Sequence, residues 1–153
     1  MNIVFCGHSD FCASKGLEEK MLDCLEKRID GEAVNFLLGG YGNFDRFSFI
    51  CAKKYKEKHS TAKLIFVTAY LTEEYQKNHL QIKRKIYDEI LYPPLEDKPL
   101  RFAIYYRNRY MIEQADFIVA FMEREFGGAY QAYAYAKKLG KEIVDLNERN
   151  QEF

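Results

Sequence analysis

Five short apolar runs, NIVFC (2–6), AVNFLL (33–38), KLIFVTAY (63–70), DFIVAFM (116–122) and KEIVDL (141–146), recur along the chain with longer amphipathic stretches between them. A strand apolar at nearly every position must be covered on both faces, and crossover helices cover both faces of a parallel sheet. The runs therefore predict an α/β fold, a three-layer sandwich with a mainly parallel central sheet. At 153 residues the chain has the length of one ordinary domain, so a single unit over 1–153 is expected.

The intervening segments fit that plan. Leu17, Met21, Cys24 or Leu25 and Arg28 recur at helical spacing over Lys15–Arg28, with Asp30-Gly31 as the exit. Asp45–Lys58 places Phe47, Ile50, Cys51 and Tyr55 on a partly apolar stripe. Arg101–Gln114 and Ala129–Leu139 supply two more helices, the second stopped by Gly140. Thr72–Leu100 is long for a crossover. It predicts a helix around Leu80–Ile90, then an extended LYPPLEDKP segment whose adjacent prolines prevent regular helix, with part of the stretch passing over the sheet edge or a ligand crevice.

Lysine plus arginine equals aspartate plus glutamate at 23 each, so overall charge steers no polyanion toward the chain. Cys6, Cys12, Cys24 and Cys51 lack paired spacing and read as reduced thiols of a cytoplasmic protein. No apolar stretch is long enough for a membrane span, no cluster has metal-ligand spacing, and no cofactor is expected. Twelve tyrosines, dense in the second half, are expected on helix faces covering the sheet, with one or two free to stack on a ligand. His59 and His79 read as surface residues, and Lys83, Arg84 and Lys85 as a solvated basic face or a contact surface.

In open α/β sheets ligands gather beyond the carboxyl ends of strands. Candidate loops fall there after three of the runs. The first holds Gly7, His8, Ser9 and Asp10, whose open uses are general-base chemistry, ligand hydrogen bonding, or loop and cap structure. In the second, Gly39, Gly40 and Gly42 allow tight backbone turns before a helix beginning near Asn43–Asp45, whose first amides are anion donors. Asp45 is either that helix's cap or an acceptor for a sugar or base. In the third, REFGGAY (Arg124–Tyr130), Gly127, Gly128, Ala129 and Tyr130 open the last helix, either as an anion site or as a plain tight turn. Arg107 and Arg109 are about 200° apart on a helix and so do not reach one ligand together, unless one precedes the helix with Asn108 as its cap. One arginine on a phosphate and surface pairing both remain open.

Taken in order, GGYGNFD, YPPLE, FAIYYRNRYMI and GGAYQAYAYAKKLGK resemble the SLOG superfamily, which joins DprA-type DNA-processing proteins to the LOG phosphoribohydrolases. The likeness covers nearly the whole chain and is to the small YpsA-like and YoqJ-like proteins of bacteria and phages. It implies a Rossmann-like fold. By resemblance, Gly39, Gly40, Gly42 and Asp45 match the family's ligand loop and following aspartate, and Arg107, Asn108 and Arg109 match an RNR motif. Met111 matches the methionine of the LOG arginine motif, and Gly127-Gly128 matches the start of the later LOG loop. The LOG catalytic glutamate falls on Ala134, which cannot accept a proton, so enzyme activity is left open.

The leading expectation is a binding domain for a nucleotide or ADP-ribose-like molecule, used in sensing or signalling. Hydrolysis or transfer at the N-glycosidic bond of a nucleoside 5′-monophosphate is the alternative, with Asp45, Asp10 or Glu125 as carboxylate. Single-stranded DNA is a third and less favoured partner. Exposed aromatics and the resemblance also suggest a homo-oligomer, and no membrane partner is expected.

Overall fold

The computed structural model describes residues 1–151. Its centre is a six-stranded sheet in the order β4-β3-β2-β1-β5-β6: β1 (Asn2–Gly7), β2 (Asn35–Leu38), β3 (Lys63–Val67), β4 (Glu89–Leu91), β5 (Phe117–Phe121) and β6 (Ile143–Asp145). Every pairing is parallel, with Ile3 opposite both Phe36 and Phe117. The fold is therefore the α/β Rossmann-like three-layer arrangement.

Strand periodicity divides the core in two. Ile3, Phe5, Phe36 and Leu38 point to one face, where they meet Leu17, Met21 and Leu25 of α1 (Leu17–Ile29) and Cys51 and Tyr55 of α2 (Asn43–Lys58). Val4, Cys6, Leu37 and Ile118 point to the other, beneath α5 (Ala103–Gln114) and α6 (Gly128–Lys138), which contribute Met111, Ile112 and Ala136. This is why the runs of β1, β2, β3 and β5 are apolar at consecutive positions: neither face of those strands sees water. Burying one such side chain contributes about 1.5–3 kcal/mol. Among the described residues no helix is long and apolar enough to cross a membrane.

The stretch after β3 departs from expectation. It is helical from Glu73, as α3 (Glu73–Tyr75), a π-helical turn (Gln76–Leu80) and α4 (Gln81–Ile86). The helix then stops short of Ile90, because Glu89–Leu91 is the added edge strand β4. Asp88 secures that edge: its amide donates to the Leu64 carbonyl at 2.8 Å and its Oδ2 accepts the Leu64 amide at 2.7 Å. The basic run also differs from a uniformly solvated face. Lys83 is half-buried and lays its ammonium over Phe66, 5.1 Å from the ring centre, while Arg84 and Lys85 are exposed.

Candidate functional site

From β1 the chain moves outward through β2, β3 and β4, then returns to β5 on the other side of β1. At that reversal the loops after β1 and β5 leave for opposite faces, and a gap opens beyond the strand ends. The gap is a cleft of about 360 Å³. Gly7, His8 and Ser9 line it from the first loop, Gly39, Tyr41 and Asp45 from the second, and Arg124, Gly127, Gly128 and Ala129 from the third. Arg107, Asn108 and Met111 of α5 complete the wall. Asp10, Gly40, Gly42, Arg109 and Tyr130 do not line it.

The second loop is stitched to the rest of the protein. A Cβ on Gly39 would come within 3.0 Å of the Arg107 guanidinium carbon. Gly42 has φ 87°, and a Cβ there would lie 2.7 Å from Ser9 Cα. That close approach lets the Asn43 amide donate to the Ser9 carbonyl at 2.9 Å, so the first donor of α2 is already taken. Bare backbone here lets loops nest against one another and against an arginine.

Asp45 lies in the first turn of α2, and its Oδ2 accepts the amide of Tyr41, a loop residue ahead of the helix, at 2.9 Å. It is therefore a loop clamp and not a cap on the helix's own amides. Burial raises its pKa to about 6, against the lowering effects of the Tyr41 hydrogen bond and the nearby Arg107 charge. A carboxyl tuned to that range in a cleft can exchange a proton near neutral pH.

Arg107 is 4% exposed. Its Nη1 donates to the carbonyls of Gly39 at 3.0 Å and Val67 at 3.1 Å, and its Nε to Asn108 Oδ1 at 3.0 Å. The guanidinium thus ties α5 to the ends of β2 and β3, and desolvation pulls its pKa down. Asn108 falls inside α5, so it orients Arg107 and caps nothing. Arg109 projects elsewhere: it donates to Tyr105 Oη at 2.7 Å and lies 4.0 Å from the centre of the Tyr135 ring. It lines an adjoining hollow between α5 and α6, together with Ala134. The expected separation of the two arginines around the helix explains this, since both are helical.

The first loop divides its residues differently. His8 is 2% exposed, and its Nε2 accepts the Glu123 amide at 3.1 Å. Accepting there requires the neutral ring with its proton on Nδ1. Burial, then the charge of Arg124, lowers the His8 pKa in keeping with this. Asp10 is exposed and pairs with Arg124 at 3.0 Å. Ser9 gives its carbonyl to α2 and lines the cleft mouth.

The third loop is open. Gly127 has φ 91° and precedes α6, no side chain caps that helix, and a Cβ on Gly127 or Gly128 would meet nothing within 4 Å. The amides of Gly128, Ala129 and Tyr130 begin the helix and have no intrahelical acceptor. Beneath them the Cys6 thiol donates to the Ala129 carbonyl at 3.1 Å, and burial raises its pKa to about 12, which keeps it protonated. Tyr130 packs against the core on that face, its ring 6.3 Å from that of Tyr133, and does not line the cleft. Sequence reading placed Tyr41 and Arg124 on the second and third candidate loops but gave neither a role. Arg124 is joined to the first loop by a contact with Asp10 that spans 114 positions, which no local pattern announces.

No family model matches the chain. In sequence it is similar to the SPbeta prophage-derived protein YoqJ of Bacillus subtilis strain 168, 28% identical over 149 residues, covering 86% of this chain and 87% of that one. In structure it is similar to DNA processing protein A (DprA) from Helicobacter pylori, with a TM-score of 0.63 at 16% identity over 99% of this chain and 67% of the other. DprA from Streptococcus pneumoniae gives a TM-score of 0.61 at 15% identity over 93% of this chain. The chain spans about half, 48%, of that second structure. Sequence and fold bear out the resemblance: the chain is similar in sequence to YoqJ and carries the α/β fold of DprA.

Proposed function

We propose that the protein binds a nucleotide or nucleotide-derived ligand in the cleft at the carboxyl edge of its sheet, without turning it over, as a sensing or signalling component would. The observation that carries this is the meeting of all three strand-end loops at one opening, with uncapped α6 amides on one side and Asp45 on the other. The amides favour an anionic group. Asp45 offers an acceptor to ribose hydroxyls or a base amine. A volume of about 360 Å³ is at the small end for ligand sites and suits a mononucleotide. An ADP-ribose-like ligand would extend into the adjoining hollow of about 520 Å³, which shares Ile104, Asn108, Gly128 and Ala132 with the cleft.

Ala134 supports binding without hydrolysis, because the position matching the LOG glutamate is an alanine. Calorimetric titration with AMP, GMP, CMP, UMP and ADP-ribose is expected to give a saturable response with at least one of them, and no response to any would contradict the reading. The Asp45 carboxyl favours a second reading, hydrolysis of the N-glycosidic bond with Asp45 as proton donor. Chromatography of the incubated nucleotides tests it: release of free base above a heat-treated control supports hydrolysis, and none excludes it. One DprA relative is described for its single-stranded DNA binding mode. An affinity of this chain for single-stranded DNA falling steeply with salt would move the reading toward nucleic acid.

A further inference from the structure

Two arginines border the cleft, and they are held in opposite ways. Arg107 is buried and committed, with Nη1 and Nε spent on two backbone carbonyls and an asparagine. Arg124 lies on the loop immediately before Gly127-Gly128. Among the described residues its guanidinium has one hydrogen-bond partner, Asp10 Oδ1 at 3.0 Å, and it rests against Phe126 at 5.3 Å. Both members of that pair are solvent-accessible, at 31% and 66% of their side-chain surface, and such a pair exchanges partners readily.

A second group lines the same space. With Nε2 accepting the Glu123 amide, the His8 proton is on Nδ1, which has no hydrogen-bond partner among the described residues. Ser48 Oγ is the fully enclosed side-chain polar atom without a partner among those residues, so His8 Nδ1 keeps an open surface, and the open space His8 lines is the cleft. The His8 Nδ1–H is thus a donor without a protein partner among the described residues, free to bond a ligand oxygen in the cleft.

Resting on the nucleotide reading above, we propose that Arg124 and not Arg107 is the residue that grips the ligand's phosphate. The phosphate docks over the free amides of Gly128 and Ala129, which line the cleft, with the His8 Nδ1–H as a further donor. Asp10 is the internal competitor: its carboxylate holds Arg124 until a stronger anion displaces it. Arg107 is a positioning residue that fixes the second loop.

Calorimetry on the full chain tests this, using AMP, GMP, CMP and UMP, their nucleosides, and oligothymidylate, against wild type, Arg124→Gln, Arg124→Lys and Asp10→Asn. Arg124→Gln is expected to weaken monophosphate binding about tenfold or more while changing nucleoside binding less than about twofold, as loss of a charge-assisted phosphate contact requires. Arg124→Lys recovers part of the loss. Asp10→Asn strengthens monophosphate binding by about threefold, because the competitor no longer carries charge. Melting temperatures stay close to the wild-type value, since Asp10 is exposed, Arg124 is half-buried and the pair between them is solvent-accessible. Wild-type monophosphate binding that Arg124→Gln leaves unchanged, or that Asp10→Asn weakens, overturns the assignment of Arg124 alone. A wild type that binds neither monophosphates nor nucleosides overturns the nucleotide reading itself, and a response to oligothymidylate only overturns the small-molecule ligand.

Discussion

The two glycine loops look alike in sequence and are unlike in structure. At Gly39–Gly42 the chain's own atoms demand the missing side chains: the Arg107 guanidinium passes Gly39, and the backbone of Ser9 abuts Gly42. At Gly127-Gly128 the space that a Cβ would occupy is empty. Gly127 is still constrained by its φ of 91°, but Gly128 has neither a positive φ nor a neighbour that excludes a methyl group. Two loops of one composition thus divide the labour. The second is scaffold, and the third leaves room for something from outside the chain.

Gly42 carries the largest expected effect. Gly42→Ala combines a backbone conformation hostile to any Cβ with an overpacked contact against Ser9, and is expected to lower stability by about 3 kcal/mol or more in urea unfolding. Arg107→Met comes next. It strips the donor from the Gly39 and Val67 carbonyls, so a loss of about 2–3 kcal/mol is expected.

Asp45 sharpens the comparison through pH. Its folded pKa of about 6 lies above the unfolded carboxylate value, so the folded protein takes up the proton first as pH falls. The sign is the reverse of a salt-bridged aspartate: Asp45 destabilises the fold above about pH 6, and that penalty disappears as pH drops toward about 4. Asp45→Asn, which keeps an acceptor for Tyr41, is expected to be more stable than wild type at pH 7 by about 1–2 kcal/mol, less than full linkage because the cleft is wet. At pH 4 the two should melt alike. His8 acts in the other direction. Its lowered pKa supplies stability present above the unfolded value near about 6.5 and lost as pH falls toward the folded one. A His8→Asn variant should therefore lose less stability on acidification than wild type, read from melting temperatures across pH.

Gly128→Ala has the smallest expected effect on folding, within about 0.5 kcal/mol of wild type. If the space beside it belongs to a ligand, the same methyl group weakens nucleotide binding about tenfold. A variant that binds as well as wild type would remove the contrast between the loops.

Much of the fold was legible because four of the five apolar runs hold strands buried on both faces, and the fifth, although Val144 is exposed in edge strand β6, also became a strand. β4 was not, since three residues at a sheet edge, held by Asp88 against Leu64, make no apolar run. The angular separation of Arg107 and Arg109 followed from helical geometry. Which of them enters the cleft did not, because it depends on how α5 lies on the sheet. Nor did spacing reveal that the second loop's glycines answer to Arg107 and Ser9, or that Arg124 reaches Asp10. Those contacts join residues far apart in sequence.

The central claim is that the second and third loops, opposite in their internal demands, form two walls of one nucleotide site. Backbone amide NMR during titration with the nucleotides of the calorimetric panel tests it directly. The account predicts that resonances of Tyr41–Asp45 and of Gly127–Tyr130 move together and saturate at the same ligand concentration. Movement confined to one loop, or to the hollow beside Lys15 and Asn147 at the start of α1, would contradict it.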